Sequence, residues 1–207
     1  MNSFYSEKEN IIGGGIALLT NNPDSVELFE WLVGVESLVY LISDKITIAM
    51  IEEVNPNMLV SYNYRHIISE DVLTFMGGRA INLHISLLPW NRGAAPNIFS
   101  FLESTPCGVT IHQMAAGIDT GDILMQEEIS FDFEKETLKS SYEKLHCLIQ
   151  RLFKDNWQAI KRDEIVPKKQ IGEYTYHRTA DLEKYRDIID YDDTIAAFLK
   201  KAAHMKT

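Results

Sequence analysis

The chain has 207 residues, of which 45% are apolar and 24% charged, and its formal charge is -10. This length is enough for one good-sized domain, and no apolar run approaches the roughly 20 residues that a membrane-spanning helix needs. The acidic balance disfavours nucleic-acid binding, because the protein as a whole would repel a phosphate backbone.

The cysteine content and the first residues bear on the cellular compartment. The sequence holds two cysteines, Cys107 and Cys147, and residues 1–10 contain no apolar signal core. So few cysteines fit a reducing compartment, and their spacing is not that of metal ligands, so no metal site is predicted. We therefore expect a cytoplasmic protein that is not attached to a membrane.

Strands and helices alternate along the first part of the chain. The glycines at 13–15 precede the first strand, within the apolar run 11–20, and are predicted to form a turn rather than a phosphate loop, which would follow a strand. The predicted helices cover 22–34, 46–54 and 69–78, and the strands between and after them cover 37–42, 58–63 and 80–88. This alternation predicts an α/β fold with a doubly wound, mostly parallel sheet flanked by helices.

The strand at 80–88 carries a row of polar residues. Side chains alternate between the two faces of a strand, so Asn82, His84 and Ser86 are expected to point the same way. Pro89 cannot donate to a sheet ladder and should end the strand, which places the row near the carboxyl end of the sheet. Ligands bind at that end of open α/β sheets.

A second polar element follows the next predicted strand, 108–114. The loop 115–122 offers Asp119 and Asp122 to neighbouring strand ends. An amide, an imidazole and a carboxylate can together carry out acyl transfer, with a base for the nucleophile and a donor for the developing oxyanion. The alternative is that Asn82 and His84 are satisfied polar groups in a sheet, and that Asp119 only shapes a turn.

The remaining elements are expected to complete the fold. Helices are predicted at 98–103, 137–157 and 195–203, and a strand at 126–133. We interpret His112 as a structural residue, because a lone histidine on a strand is more often satisfied in the core than catalytic. Asp122 is expected to support the loop that carries Asp119.

Two separated motifs resemble one known family. Asn-x-His-x-Ser-Leu-Leu-Pro at 82–89 and Gly-Ile-Asp-Thr-Gly-Asp-Ile-Leu at 117–124 are similar, in order and spacing, to the catalytic core of the folate-dependent formyltransferases. The likeness covers roughly residues 56–129. The stretch 89–97, with Pro-Trp-Asn-Arg-Gly and a following Pro-Asn, resembles the sugar N-formyltransferases most.

This resemblance implies roles for particular residues and a Rossmann-type, formyltransferase-like fold. It implies that Asn82, His84 and Asp119 form the catalytic triad and that 10-formyltetrahydrofolate is the co-substrate. The residues expected beside the folate are Arg65, His66, Ile67, Ile68 and Gly117, and those expected to contact the acceptor are Trp90 and Arg92. The domain division is a catalytic domain at 1–165 and a short C-terminal extension at 166–207.

The expected activity is transfer of a formyl group from 10-formyltetrahydrofolate to a primary amine, first of all on a nucleotide-linked amino sugar. The alternatives are methionyl-tRNA or glycinamide ribonucleotide as the acceptor, hydrolysis of formyltetrahydrofolate, or a non-catalytic folate-binding relative. The expected partner is a small-molecule amine rather than nucleic acid. The sequence is compatible with a homodimer but does not determine the oligomeric state.

Overall fold

A six-stranded sheet forms the centre of the computed structural model, which describes residues 14–205. The strands in chain order are β1 (Ile16–Leu19), β2 (Val39–Ile42), β3 (Met58–Tyr62), β4 (Ala80–His84), β5 (Arg92–Gly93), β6 (Gly108–Gln113), β7 (Ile123–Glu128) and β8 (Tyr176–His177). The main sheet has the order β2-β1-β3-β4-β6-β7, and β5 pairs with β8 separately. Strands β1 to β4 are parallel, while β6 runs antiparallel to β4 and β7. The predicted mostly parallel α/β sheet is confirmed.

Seven α-helices surround the sheet within the described residues. They are α1 (Val26–Val35), α2 (Ile48–Val54), α3 (Glu70–Met76), α4 (Pro96–Glu103), α5 (Leu138–Lys161), α6 (Thr179–Glu183) and α7 (Ile195–His204). Gly77 ends α3 in the left-handed conformation, as a helix-ending glycine commonly does. Within residues 14–205, no helix combines the length and apolar character needed to cross a bilayer.

The two faces of the sheet pack against different helices. Ile16 and Leu18 of β1 belong to a core that includes apolar residues of α1 and α5. Ala17 and Leu19 belong to the opposite core, which includes residues of α2 and α3. Because successive strand residues point to opposite faces, a strand buried on both sides is a continuous apolar run. Burying one large apolar side chain in this way stabilises the fold by about 1.5–3 kcal/mol.

Strand β4 is shorter than predicted, and Ser86 does not extend its polar row. The strand ends at His84, because the chain then turns and is held by other bonds. The hydroxyl of Ser86 donates to the carbonyl of Trp90, and the Ser86 carbonyl accepts from Thr110 at 2.7 Å. Ser86 lies beyond the end of the strand and is fully buried in this turn, so the predicted polar row of the strand stops at His84.

Other boundaries also differ from the predictions, among them those of α1 and β7. Helix α1 continues one residue past Gly34 and closes with a bond from the Glu36 N–H to the Leu32 carbonyl. Strand β7 covers Ile123–Glu128 rather than 126–133, because its partner β6 begins at Gly108, opposite Glu128. Phe131 and Phe133 lie beyond the strand, and both rings pack edge-on against Phe101.

The segment after residue 166 packs against β5 and α4, near the middle of the chain. Ile195 and Phe198 of α7 share an apolar cluster with Ile98 and Phe101 of α4. Strand β8 pairs in parallel with β5, next to the carboxyl end of β4. This packing brings the C-terminal segment to the edge of the sheet at which ligands are expected.

A buried polar cluster joins α5 to β3. The Tyr62 hydroxyl bonds to Nδ1 of His146, and Gln150 Nε2 lies 3.2 Å from the Asp24 carbonyl oxygen. Burial raises the pKa of Tyr62, so its hydroxyl stays protonated and donates to the imidazole. Burial also lowers the pKa of His146 to about 4, against a weaker opposing effect of Asp24. His146 is therefore neutral at pH 7.

Because His146 is neutral in the folded protein, we predict that the free energy of unfolding falls in mild acid. In the unfolded chain a histidine has a pKa of about 6.5, so between pH 6.5 and 4 the unfolded state binds a proton that folded His146 does not. Each pKa unit is worth about 1.4 kcal/mol, so we expect this residue to lower the free energy of unfolding by about 3 kcal/mol as pH falls through that window. Urea unfolding at pH 7, 6, 5 and 4.5 measures the effect. The variant His146→Gln should show a shallower pH dependence, and an unchanged slope would contradict the assignment.

Candidate active site

A cleft of about 720 Å³ opens at the carboxyl ends of β3 and β4. Its walls come from residues 63–68 after β3, 82–85 at the end of β4, 93–98 before and within α4, and 114–119 after β6. The C-terminal segment contributes residues 176–179 and Tyr191. Both the volume and the position at the strand ends are typical of small-molecule sites in α/β proteins.

Asp119 lies at the centre of a polar cluster in this cleft. Its Oδ1 accepts a hydrogen bond from Asn82 Nδ2 at 3.1 Å, and its Oδ2 accepts one from the Gly93 N–H at 2.8 Å. Nδ1 of His84 lies 3.7 Å from the same Oδ2. The structure therefore brings together the three residues that the motifs single out, although they are up to 37 positions apart.

The backbone holds Asp119 in an uncommon conformation. Its φ is +52°, in the left-handed region that aspartate tolerates better than most residues. Gln170 Nε2 donates to the carbonyl oxygens of Asp119 and Gly121, both at 2.8 Å. Gly121 passes so close to β6 that an added Cβ would lie 1.7 Å from the Gln113 carbonyl oxygen. A glycine is therefore required for the loop to approach the sheet.

His112 belongs to the same cluster. Its Nε2 lies 3.4 Å from Asp119 Oδ1 and 3.3 Å from Asn82 Nδ2, and the side chain is 2% exposed. We predicted a structural role for it from the sequence. The pairing of β4 with β6, in which Asn82 lies opposite His112, places both side chains on one face of the sheet. The sequence analysis could not place His112 beside Asn82, because a sequence does not show which strands are neighbours in the sheet or how they are paired.

The hydrogen bonds fix the protonation states of the cluster. Nε2 of His84 lies 3.1 Å from the Asn91 carbonyl oxygen and so carries a proton, which leaves Nδ1 with a lone pair facing Asp119. Burial lowers the pKa of His84, and the Asp119 charge only partly offsets this. Burial alone would raise the pKa of Asp119, but His84, His112 and the Gly93 N–H outweigh it and hold that pKa below its usual range. At pH 7 a neutral imidazole therefore faces an ionised carboxylate.

Both amide hydrogens of Asn82 are directed at neighbours within the cluster. Nδ1 of His112 donates to the Gln113 carbonyl at 2.7 Å, and Nε2 of the same ring lies 3.3 Å from Asn82 Nδ2. The second amide hydrogen goes to Asp119. Asn82 can donate to an oxyanion in the cleft only by turning or by sharing one of these hydrogens.

The residues expected beside a folate all line the cleft. They are Arg65, His66, Ile67, Ile68 and Gly117. Trp90 and Arg92, expected to contact the acceptor, are not among its lining residues. The Trp90 carbonyl accepts from Ser86, and the guanidinium of Arg92 bonds to Gln170.

Several lining residues had no role in the sequence-based predictions. Tyr142 from α5 and Tyr191 near α7 contribute aromatic surface, and Tyr176 and Arg178 come from the segment that contains β8. Asn63 and Asn97 each carry a buried Nδ2 that has no hydrogen-bond partner among the described residues. Unpaired buried donors at a cleft are a cost that a bound molecule with acceptor atoms would relieve.

Three comparisons relate the chain to known proteins. The family model described as formyl transferase matches residues 41–155. A methionyl-tRNA formyltransferase from Caldanaerobacter subterraneus subsp. tengcongensis is 32% identical over 124 residues, which are 59% of this chain and 40% of that protein. The chain thus spans less than half the length of that relative.

The matching solved structures cover a larger share of this chain than the sequence relative does. One of them is the crystal structure of the formyltransferase PseJ from Anoxybacillus kamchatkensis in complex with UDP-4,6-dideoxy-4-formamido-L-AltNAc and tetrahydrofolate. Its sequence is 37% identical to this chain, and the two structures superimpose with a TM-score of 0.83. The match covers 92% of this chain and 100% of PseJ. An N-formyltransferase from Helicobacter canadensis shares the fold at a TM-score of 0.74 with 21% identity, over 89% of this chain and 78% of its own. The resemblance and the fold predicted from the motifs are confirmed.

Proposed function

Because the chain belongs to the formyl transferase family, we propose that it transfers a formyl group from 10-formyltetrahydrofolate to a primary amine on a nucleotide-linked sugar. The observation that carries this proposal is the 37% identity to a formyltransferase crystallised with a UDP-sugar and tetrahydrofolate, over that chain's full length. The meeting of Asn82, His84 and Asp119 in one cleft supplies the chemistry.

The residues around the cleft fit a folate co-substrate. The loop 63–68 and the loop 115–117 offer backbone groups and the unpartnered Asn63 amide, which suit the polar edge of a pterin ring. The co-substrate supplies an activated formyl carbon. The protein must then hold the amine, remove its proton and stabilise the oxyanion.

His84 is the proton acceptor in this proposal. As the amine nitrogen bonds to the formyl carbon, electrons move onto the formyl oxygen and the amine gives a proton to the free Nδ1 of His84. Asp119 then faces a positively charged ring at 3.7 Å and stabilises it. The bond from the formyl carbon to N10 of the folate breaks, and the proton passes on to N10, so the products are a formamide and tetrahydrofolate.

Asn82 stabilises the oxyanion in this proposal. Its amide nitrogen lies 3.1 Å from the Asp119 carboxylate and 3.3 Å from the His112 ring, and it can share one hydrogen once the formyl oxygen becomes negative. A single donor of this kind is worth about 3–4 kcal/mol in the transition state. We expect Asn82→Ala, like His84→Ala and Asp119→Ala, to leave a folded protein with almost no formyl transfer.

Methionyl-tRNA is the second candidate acceptor. The sequence matches to methionyl-tRNA formyltransferases favour it. The net charge of -10 opposes it, since RNA binding depends on neutralising phosphates. The amino-sugar acceptor is therefore preferred.

The acceptor can be tested directly with purified protein. We would incubate it with 10-formyltetrahydrofolate and a panel of UDP- and dTDP-linked amino sugars, methionyl-tRNA, or buffer alone, and follow tetrahydrofolate release and the mass of the formylated product. We expect release only with an amino sugar. Release in buffer alone would favour a hydrolase, and release only with methionyl-tRNA would overturn the proposed acceptor.

A further inference from the structure

One side chain outside the predicted triad holds the loop that carries Asp119. The amide nitrogen of Gln170 donates to the carbonyl oxygens of Asp119 and Gly121, both at 2.8 Å. Its amide oxygen accepts from Arg92 Nε at 3.1 Å and from Arg92 Nη2 at 2.7 Å. Both ends of this amide are therefore committed, the nitrogen to the Asp119 loop and the oxygen to Arg92.

Arg92 is itself fixed by the same segment. Its backbone N–H donates to the Thr175 carbonyl at 3.0 Å, and its guanidinium carbon lies 4.6 Å from the centroid of the Tyr174 ring. The next residue, Gly93, gives its N–H to the Asp119 carboxylate. Asp119 is thus held at its carboxylate by Gly93 and at its carbonyl by Gln170, and Arg92 connects these two supports.

The Asp119 loop needs such a support. Residues 115–118 are exposed and contribute little burial, and Asp119 has a positive φ that the surroundings must enforce. A shift of about 1 Å at a catalytic group can cost about 100-fold in rate. The contact from Asp119 to His84 is already 3.7 Å, so a small displacement would weaken it further.

We propose that Gln170 and Arg92 form a clamp that positions Asp119 against His84, and that Gln170 is a positioning residue for formyl transfer. This inference rests on the function proposed above. It gives Arg92 a structural role in place of the acceptor contact that the resemblance implies. Gln170 does not line the cleft, so it acts through Asp119 rather than by touching a substrate.

Two substitutions separate the halves of the clamp. Gln170→Met keeps the length and removes every hydrogen bond, while Gln170→Glu keeps acceptors for Arg92 and loses the two N–H donors to the loop. We expect each to lower kcat about 10- to 100-fold, with the KM for both substrates within threefold of wild type. Gln158→Met, on the exposed side of α5, is the matched control and should retain wild-type kcat. If Gln170→Met does not fold, Gln170→Glu decides the matter alone, and a kcat within threefold of wild type in a folded Gln170 variant overturns the clamp.

A second readout does not depend on turnover. The Asp119 charge raises the pKa of His84, so loosening the loop should lower the His84 titration midpoint in an NMR titration of the histidine Hε1 resonances. Gln170→Met should lower the midpoint in the wild-type background and cause no further change in an Asp119→Asn background. An equal shift in both backgrounds would overturn the clamp. If wild-type protein transfers no formyl group, the proposed function fails, and the titration still decides whether Gln170 positions Asp119.

Discussion

Asp119→Asn should lower kcat by about 10³- to 10⁴-fold and leave the protein folded, on the scale seen when the orienting carboxylate of a catalytic triad loses its charge. The aspartate is ionised at pH 7 because His84, His112 and the Gly93 N–H outweigh the effect of its burial. An asparagine of the same shape can still accept from Gly93, but it brings no negative charge to a protonated His84. The proton that leaves the amine then has a less favourable destination.

The fold should tolerate this change for two reasons. Asparagine adopts a positive φ more readily than most residues, so the +52° at position 119 is not strained by the substitution. Its amide oxygen can also keep the hydrogen bond from the Gly93 N–H. Circular dichroism and the urea midpoint would check folding, and initial rates of tetrahydrofolate release would check activity. Asp122→Asn, in the same loop, is the charge-matched control, and a comparable loss in that variant would contradict a specific role for Asp119.

Local chemistry made most of the sheet predictable and marked out Asn82, His84 and Asp119 as candidate site residues. The alternation of apolar runs with capped helices is a property of short segments, so β2, β3 and α1 to α3 were expected close to their observed bounds, and the start of β4 was expected at residue 80. The polar residues Asn82 and His84 interrupt an otherwise apolar strand, and the two glycines around Asp119 mark a tight loop. Each of these signals lies within a window of about ten residues.

Features that depend on long-range pairing could not be read from the sequence. His112 joins the site because β6 pairs antiparallel with β4, and Ser86 leaves it because the chain turns immediately after His84. Strand β7 was misplaced because its length is set by where β6 begins. The role of Gln170 depends on a segment 51 residues away from Asp119. In each case a partner distant in the sequence decides the outcome.

The pH dependence of the wild-type reaction should report on His84. Burial lowers the pKa of His84, so the neutral form that can accept a proton is present at pH 7 and above and is lost only as pH falls through a value below 6.5. We expect kcat/KM to be level from about pH 7 to 8 and to decline on the acidic side. A midpoint above 6.5 would show that another group limits the reaction.

His84→Gln should lower kcat about 10²- to 10⁴-fold, which is the usual contribution of a positioned general base. Glutamine can still donate toward the Asn91 carbonyl, which His84 contacts at 3.1 Å, so the buried site keeps a polar partner and the fold should survive. The residual activity should lose the acidic limb of the pH profile, because the side chain no longer titrates. His66→Gln, at a half-buried position in the wall of the same cleft, is the matched control for loss of an imidazole and should retain that limb. A His84→Gln variant with near-normal kcat and the wild-type pH profile would remove His84 from the mechanism, and with it the reason for an ionised carboxylate beside it.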